Sequence, residues 1–403
     1  MKKKIWIQVI HITVILVLAA ITFAYAMFQG GFVSWFLFYS FMPFAVYSLM
    51  VCVYPLHHLH VERELTKQTY QAGDDFVATI IIKRKGHFPL LYLIIQDDLP
   101  AHLETHYGQN ASKIMIFPFF RKEIQIQYSL LHLPRGEHSF DYVRLKTGDF
   151  LGIVEKETYY ENKVNYLVYP KMIKVRVSDL FTDYEQGELS SHSFLRQEGG
   201  FVSGIREYQA GDRFSWIDWK SSAKRNTLIS KEFEQKKTSH LTVVLDGLTP
   251  YGLEPRITLT ASILSAYVKA GGDIQFISLG KNVFVQPLQN PEYHLRQALY
   301  HLAFIQGEKQ GQFSEMLARE WGKWQLKTNI LLIVSEMNEQ LMFMMEAMVR
   351  QQCHLFIMMV KENERTLSPK EQALVKRLKS KRVQIKVTTE SEFLDAIAGV
   401  NSQ

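Results

Sequence analysis

The sequence predicts an α+β multidomain protein. It has a two-helix transmembrane hairpin, a β-sandwich-like module and a doubly wound α/β domain. Three observations carry this reading. The first 56 residues hold charge only at Lys2, Lys3 and Lys4. Short alternating apolar runs follow, separated by turn residues. From about Leu241, continuous apolar runs alternate with segments of helical spacing. The boundaries expected are 1–56 for the hairpin, 57–172 for the sandwich-like module, 173–240 for a linker and 241–403 for the α/β domain. A chain of 403 residues with 47% hydrophobic and 21% charged residues is too apolar for disorder. Two cysteines, Cys52 and Cys353, exclude a disulfide framework and a four-cysteine zinc site.

Ile5 to Phe28 is one apolar block and Phe32 to Tyr54 a second, with Gln29-Gly30-Gly31 as the turn between them. Each block reaches the roughly 20 residues that a helix needs to cross a bilayer. In lipid the backbone must satisfy itself, which favours two helices and a tight turn. Trp6, Trp35, Tyr47 and Tyr54 are interface anchors, and Pro43 is expected to kink the second helix. A cleaved signal peptide is the rival reading, but the apolar block is long and a second follows at once. Lys2 to Lys4 favour the cytoplasmic side, so the second span returns the chain there and the bulk is expected to be cytoplasmic. Those three lysines supply half of the formal net charge of +6. The basic balance is therefore partly a topology signal, and nucleic-acid binding is not expected.

In the middle, Asp75 to Ile82, Leu90 to Gln96, Glu123 to Leu131, Phe140 to Leu145 and Asn165 to Tyr169 read as strands. Lys83-Arg84-Lys85 is read as a solvated hairpin tip, with contact to anionic lipid as the alternative. His57, His58 and His60 read as juxtamembrane polar residues, since no cysteine or spaced carboxylate accompanies them.

In the α/β part, the strands are Leu241 to Asp246, Asp273 to Leu279, Asn329 to Ser335, His354 to Val360 and Val383 to Val387. Helices lie between them, at Arg256 to Ala270, Tyr293 to Phe304, Phe313 to Trp321, Glu339 to Arg350 and Pro369 to Ser380. A last helix is expected over Glu390 to Ile397. Ligands of such sheets sit beyond the carboxyl ends of the strands, where Asp246 and Glu336 fall. Met342, Met344, Met345 and Met348 read as core filler.

The linker carries the most unusual stretch: Arg206, Tyr208, Gly211 and Asp212, then Trp216-Ile217-Asp218-Trp219-Lys220, then Leu228, Lys231 and Phe233. Read as a strand, Trp216, Asp218 and Lys220 share one face and Ile217 and Trp219 the other. Asp218 then lies near Lys220, with Arg206 and Asp212 as further partners. Two readings stay open, a docking or catalytic surface and an internal salt-bridge clamp.

This pattern resembles the bacterial family catalogued as domain of unknown function 58, whose signature is similar to R-x-Y-x-x-G-D, I-D-W-K-x-S-A and L-x-x-K-x-F. Arg206, Tyr208, Gly211, Asp212, Ile217, Asp218, Trp219, Lys220, Ser222, Ala223, Leu228, Lys231 and Phe233 meet it. Gly86-x-x-Pro89-Leu90, Asp98-Leu99-Pro100, Pro134-x-Gly136, Asp149-Phe150-Leu151-Gly152 and Val168-Tyr169-Pro170 resemble its middle module, with Phe150 where a proline is usual. The resemblance implies two N-terminal spans and a von Willebrand factor A-like C-terminal domain. It also implies a MoxR-type AAA+ ATPase as partner, with a transglutaminase-like membrane protein often encoded nearby. Some von Willebrand factor A domains bind a divalent cation through D-x-S-x-S. Here Asp246-Gly247-Leu248-Thr249-Pro250 keeps the aspartate but places Leu248 and Pro250 where the serines belong. Asp246, Thr249 and Glu336 remain weak metal candidates, and no cofactor is expected.

Walker, dinucleotide-binding, nucleophile-elbow and H-E-x-x-H motifs are missing, and the two cysteines lie in predicted apolar elements. The expectation is a non-enzymatic, membrane-anchored cytosolic interaction or scaffold protein working with a MoxR-type ATPase in envelope-related or complex-assembly processes. Arg206, Tyr208, Gly211, Asp212, Asp218, Trp219, Lys220 and Lys231 are its docking or structural signature. The alternative is a membrane-surface enzyme acting on a lipid or envelope precursor through Asp212, Asp218 and Lys220.

Overall fold

A computed structural model describes residues 2–67, 69–175, 201–209, 216–225, 227–234, 241–286, 291–308, 312–324, 329–351, 353–361, 367–381 and 383–389. The chain divides into two compact units, Met1–Val168 and Tyr169–Gln403. Gly211, Asp212 and the helix expected over Glu390 to Ile397 lie outside the described residues.

The first unit begins with α1 (Lys2–Gln29) and α2 (Phe32–Val53). The turn between them works because Gly30 takes a left-handed φ of 62° and its N–H still reaches Ala26 O at 3.1 Å. Both helices are long and apolar enough to cross a membrane. Pro43 stays inside α2, which continues through it.

The strands that follow are β1 (His60–Leu65), β2 (Tyr70–Gln71), β3 (Phe76–Lys83) and β4 (Leu93–Asp97). A short α3 (Ala101–Tyr107) leads to β5 (Lys113–Ile116), β6 (Glu123–Leu130), β7 (Gly136–Gly148) and β8 (Glu155–Tyr169). They form two antiparallel sheets, β1-β3-β6 and β2-β8-β7-β4-β5. Strict alternation in β6, where every second residue from Ile124 to Leu130 is buried, gives one wet and one dry face. The dry faces share a core of Phe76, Ile80, Leu93, Ile95, Phe140 and Val168. Within it Arg63 and Asp97 form a bidentate pair closed to solvent, and Tyr128 donates to the same carboxylate at 2.6 Å. β7 and β8 are much longer than the expected strands, because the charged stretch Glu155 to Lys163 continues the ladder on its exposed side.

In the second unit, β9 (Phe201–Glu207) and β10 (Ile229–Glu234) pair antiparallel around α4 (Trp219–Arg225). The α/β part runs β11 (Leu241–Asp246), α5 (Leu253–Lys269), β12 (Ile274–Leu279), β13 (Val283–Gln286), α6 (Pro291–Phe304) and α7 (Phe313–Trp321). It continues with β14 (Asn329–Val334), α8 (Glu339–Arg350), β15 (His354–Lys361), α9 (Pro369–Ser380) and β16 (Gln384–Thr389). The sheet order is β13-β12-β11-β14-β15-β16, parallel except for β13. Every residue of β11 and β14 is buried, as central strands covered on both faces require. α5 and α6 pack one apolar layer, and α7, α8 and α9 the other, with Met342, Met345 and Met348 inside it. Ser368, Pro369 and Glu371 build a capping box that starts α9.

Candidate functional site

Strand order reverses at β11. The chain leaves β11 for β12 on one side and later inserts β14 on the other. Helices depart to opposite faces there, so a cleft opens beyond the carboxyl ends of β11 and β14. Its volume is about 710 Å³, and its walls include Thr249, Glu308, Phe313, Glu336, Asn338 and Gln340. Asp246 ends β11 and forms part of its floor. Asn338 caps α8 by accepting from Leu341 N–H at 2.7 Å. On the other wall Glu308 N–H donates to Leu248 O at 2.8 Å. Gly307 permits that approach, because a Cβ there would lie 2.5 Å from Pro250 Cα.

The acid at the floor is already taken. Arg256 Nη1 lies 2.6 Å from Asp246 Oδ2, with both side chains closed to solvent. The same guanidinium donates to Asp246 O at 2.5 Å, Gly252 O at 3.1 Å, Tyr251 O at 3.1 Å and Thr249 O. Asp246 Oδ1 accepts from Leu248 N–H at 3.1 Å and Thr249 N–H at 3.2 Å, and Ser335 Oγ stands 3.4 Å from Oδ2. Burial pulls the Arg256 guanidinium below the usual arginine range, and Asp246 opposes that pull.

A divalent cation does not fit this arrangement. It would have to displace a bidentate-capable cation from Asp246, and Leu248 and Pro250 offer no oxygen side chain. Thr249 serves through its backbone, with its N–H on Asp246 and its carbonyl on Arg256. Glu336 stands exposed beyond β14. Among the described residues no cluster of three histidine, cysteine or acidic side chains is placed to hold a metal ion. Arg256 was legible only as the start of a helix. The missed signal is its sign: a cation in the first turns of a helix opposes the dipole and implies a strong local partner.

The signature residues form a second constellation. The strand expected over Trp216 to Lys220 is corrected by the structure, which starts α4 at Trp219. Asp218 Oδ1 accepts from Ser221 N–H at 3.1 Å, a helix-capping contact that wins over strand alternation. That contact, with a smaller contribution from Lys231, holds the Asp218 carboxyl below its ordinary value. Ser222 Oγ donates to Asp218 O at 2.8 Å and accepts from Ile229 N–H at 2.9 Å, tying α4 to β10. Asp218 N–H donates to Ile229 O at 2.9 Å, and Tyr208 N–H to Leu228 O at 2.9 Å. Arg206 lies opposite Ser230, and Lys231 opposite Ile205. Arg206 Nη1 donates to Glu207 O at 3.2 Å. Trp219 is 66% exposed and Lys220 is exposed beside it, so these two face solvent while Asp218 and Ser222 build the backbone joint.

The model of "Protein of unknown function DUF58" matches residues 204–394. The "Uncharacterized protein YeaD" of Bacillus subtilis (strain 168) is 32% identical over 392 residues, covering 96% of this chain and 98% of that protein. The chain belongs to the DUF58 family. The DUF58 match starts inside β9 and runs past β16, so it takes in both the signature joint and the cleft. The YeaD alignment extends the relationship through the apolar helices and the sandwich. Among solved structures, Cwp6 from Clostridium difficile is 10% identical, covering 83% of this chain and 53% of that chain, with a TM-score of 0.16. A likeness that low carries no argument about the fold.

Proposed function

We propose that this DUF58 protein is a membrane-anchored docking protein, held by the α1–α2 hairpin with its bulk on the cytoplasmic side. Lys2 to Lys4 and the uncharged turn at Gln29-Gly31 support that orientation. The C-terminal domain is read as von Willebrand factor A-like, on the strength of its sheet order and of the aspartate at the end of β11.

The observation that carries the reading is the state of the cleft. It is large and open, with polar and apolar side chains both on its walls, yet its buried acid is consumed by Arg256. A catalytic site needs an acid, base or nucleophile poised for exchange. A recognition site needs a shaped, polar-edged depression, and this cleft supplies one. The partner proposed is an AAA+ ATPase of the MoxR type, which would supply the nucleotide hydrolysis for which this chain carries no motif. Envelope assembly or maturation of another complex is the process proposed.

The test is photocrosslinking in cells from Gln340, exposed on the cleft, with hydrolysis of ATP blocked. The expected product is an adduct with an AAA+ ATPase, absent when the probe is moved to Lys379 on α9. Equal adduct yield from both positions, or none from Gln340, overturns the docking assignment.

A further inference from the structure

The hairpin does not simply emerge from lipid and hand over to the sandwich. The C-terminal half of α2 is covered by the sandwich itself. Ala45, Ser48, Val51 and Cys52 are buried, packed with Ile15 of α1 and with Phe88, Ile153 and Val154. Ser48 Oγ donates to Asp149 Oδ2 at 2.6 Å. Tyr47 OH donates to Pro89 O at 3.1 Å and accepts from Leu91 N–H at 3.1 Å. The Phe88 ring stacks on Tyr54 at 4.5 Å, and Phe44 meets Phe150 at 5.8 Å.

Helix length turns these contacts into a depth. At about 1.5 Å per residue, α2 is about 33 Å long, and Phe44 lies roughly 13 Å back from its end at Val53. The hydrocarbon core is about 30 Å thick. If α2 spans it, Phe44 lies beneath the bilayer surface, and so does whatever touches Phe44.

What touches it is apolar and unburied. Phe150 is 72% exposed and Leu151 44% exposed, on the loop between β7 and β8. A second loop, between β5 and β6, presents Phe117, Phe119 and Phe120. Strand register puts both loops at the end of the sandwich that α2 enters: Gly148 opposes Glu155, Leu93 opposes Ile116, and Lys83 opposes Glu123. The aromatic loop is held in place. Phe119 and Leu90 exchange backbone hydrogen bonds at 2.9 and 3.1 Å, next to the Tyr47 contacts. Buried Arg84 donates to Phe88 O at 3.0 Å, Phe119 O at 2.9 Å and Arg121 O at 2.7 Å. Phe119 adopts a φ of 47°, a left-handed conformation that a bulky residue keeps only when its surroundings impose it. Arg121 and Lys122 are exposed within the β5–β6 loop, and Lys85 is exposed on the turn after β3, whose Arg84 N–H donates to Lys122 O at 2.8 Å; bases of this kind pair with lipid phosphates.

We infer that the loops carrying Phe117, Phe119 and Phe120 and Phe150 and Leu151 insert into the lipid bilayer beside α2. The sandwich is then a membrane-embedded collar with a basic rim that meets anionic headgroups. The inference rests on α2 spanning the membrane. It goes further by placing aromatic loops of the β module in lipid, where the sequence reading weighed lipid contact only for the Lys83-Arg84-Lys85 tip.

The experiment reconstitutes the full chain in vesicles of phosphatidylethanolamine and phosphatidylglycerol. Photoactivatable benzoylphenylalanine replaces Phe119, Phe150, Leu37 on α2 or Leu131, which lies at the opposite end of the sandwich. After illumination, phospholipid adducts are read by mass spectrometry. Adducts at 119, 150 and 37 and none above background at 131 are expected. An adduct at 37 with none at 119 and 150 overturns the collar and leaves the span intact. No adduct at 37 overturns the span itself. Adducts at 131 equal to those at 150 show unspecific labelling and also overturn the assignment. Where a substituted chain fails to reach the vesicle fraction, Phe120 or Leu151 in the same loops takes its place.

Discussion

Arg256 Nη1 and Asp246 Oδ2 stand 2.6 Å apart with water excluded from both side chains. The guanidinium thereby occupies the electrostatic place that a cation would take at the end of the first strand of the sheet. Such a pair is costly to break from one side, because the remaining charge stays buried without its partner. Arg256→Met and Asp246→Asn are each expected to lower stability by about 3–5 kcal/mol. The double variant is expected to lose less than the sum. Thermal unfolding in detergent, arranged as a double-mutant cycle, measures the coupling.

The same geometry predicts indifference to divalent metal. Adding Mg²⁺ or Mn²⁺ is expected to leave the unfolding temperature unchanged. Saturable Mn²⁺ binding by electron paramagnetic resonance that disappears in Asp246→Asn would contradict the reading of Arg256 as the resident cation.

His301 supplies a pH dependence. Its ring stacks on Phe284 with centroids 4.0 Å apart, and burial pushes its pKa from 6.5 down to about 4. The unfolded chain binds that proton more readily than the folded one. Stability is therefore fully present above about 6.5 and is lost as pH falls toward 4. After discounting for partial solvent screening, the loss is on the order of 1–2 kcal/mol. His301→Phe is expected to flatten that acid limb of an unfolding-temperature profile.

The signature joint predicts a local effect. Ser222→Ala removes the hydroxyl that links Asp218 O to Ile229 N–H, leaving a buried donor unsatisfied. A cost of about 1–3 kcal/mol is expected. Hydrogen exchange should accelerate at Ile229 more than in β11 or β14. Unchanged protection at Ile229 would remove Ser222 from this role.

Much of this was legible from local pattern. The uncharged blocks before and after Gln29-Gly31 became α1 and α2, because lipid-compatible helices need only composition and length. The run Leu241 to Asp246 became a strand buried on both faces, because a central parallel strand needs no alternation. The alternation in Glu123 to Leu131 became β6 for the complementary reason. The segment around Asp218 misled because its alternation also fits a cap. Asp218 followed three residues later by Ser221 satisfies an N-terminal donor, and that cap marks where the short helix α4 starts while the Ser222 link to Ile229 holds it.

By itself, the sequence determined the two long apolar helices, the order of β-rich and α/β segments and the DUF58 signature, since each is written in neighbouring residues. Tertiary structure alone decided that Arg256 closes on Asp246, that Ser222 bridges to Ile229 and that Phe150 reaches Phe44 across the chain. Periodicity reports whether a side chain turns toward a core. It says nothing about which distant group meets it there, because that choice is made only when the elements pack.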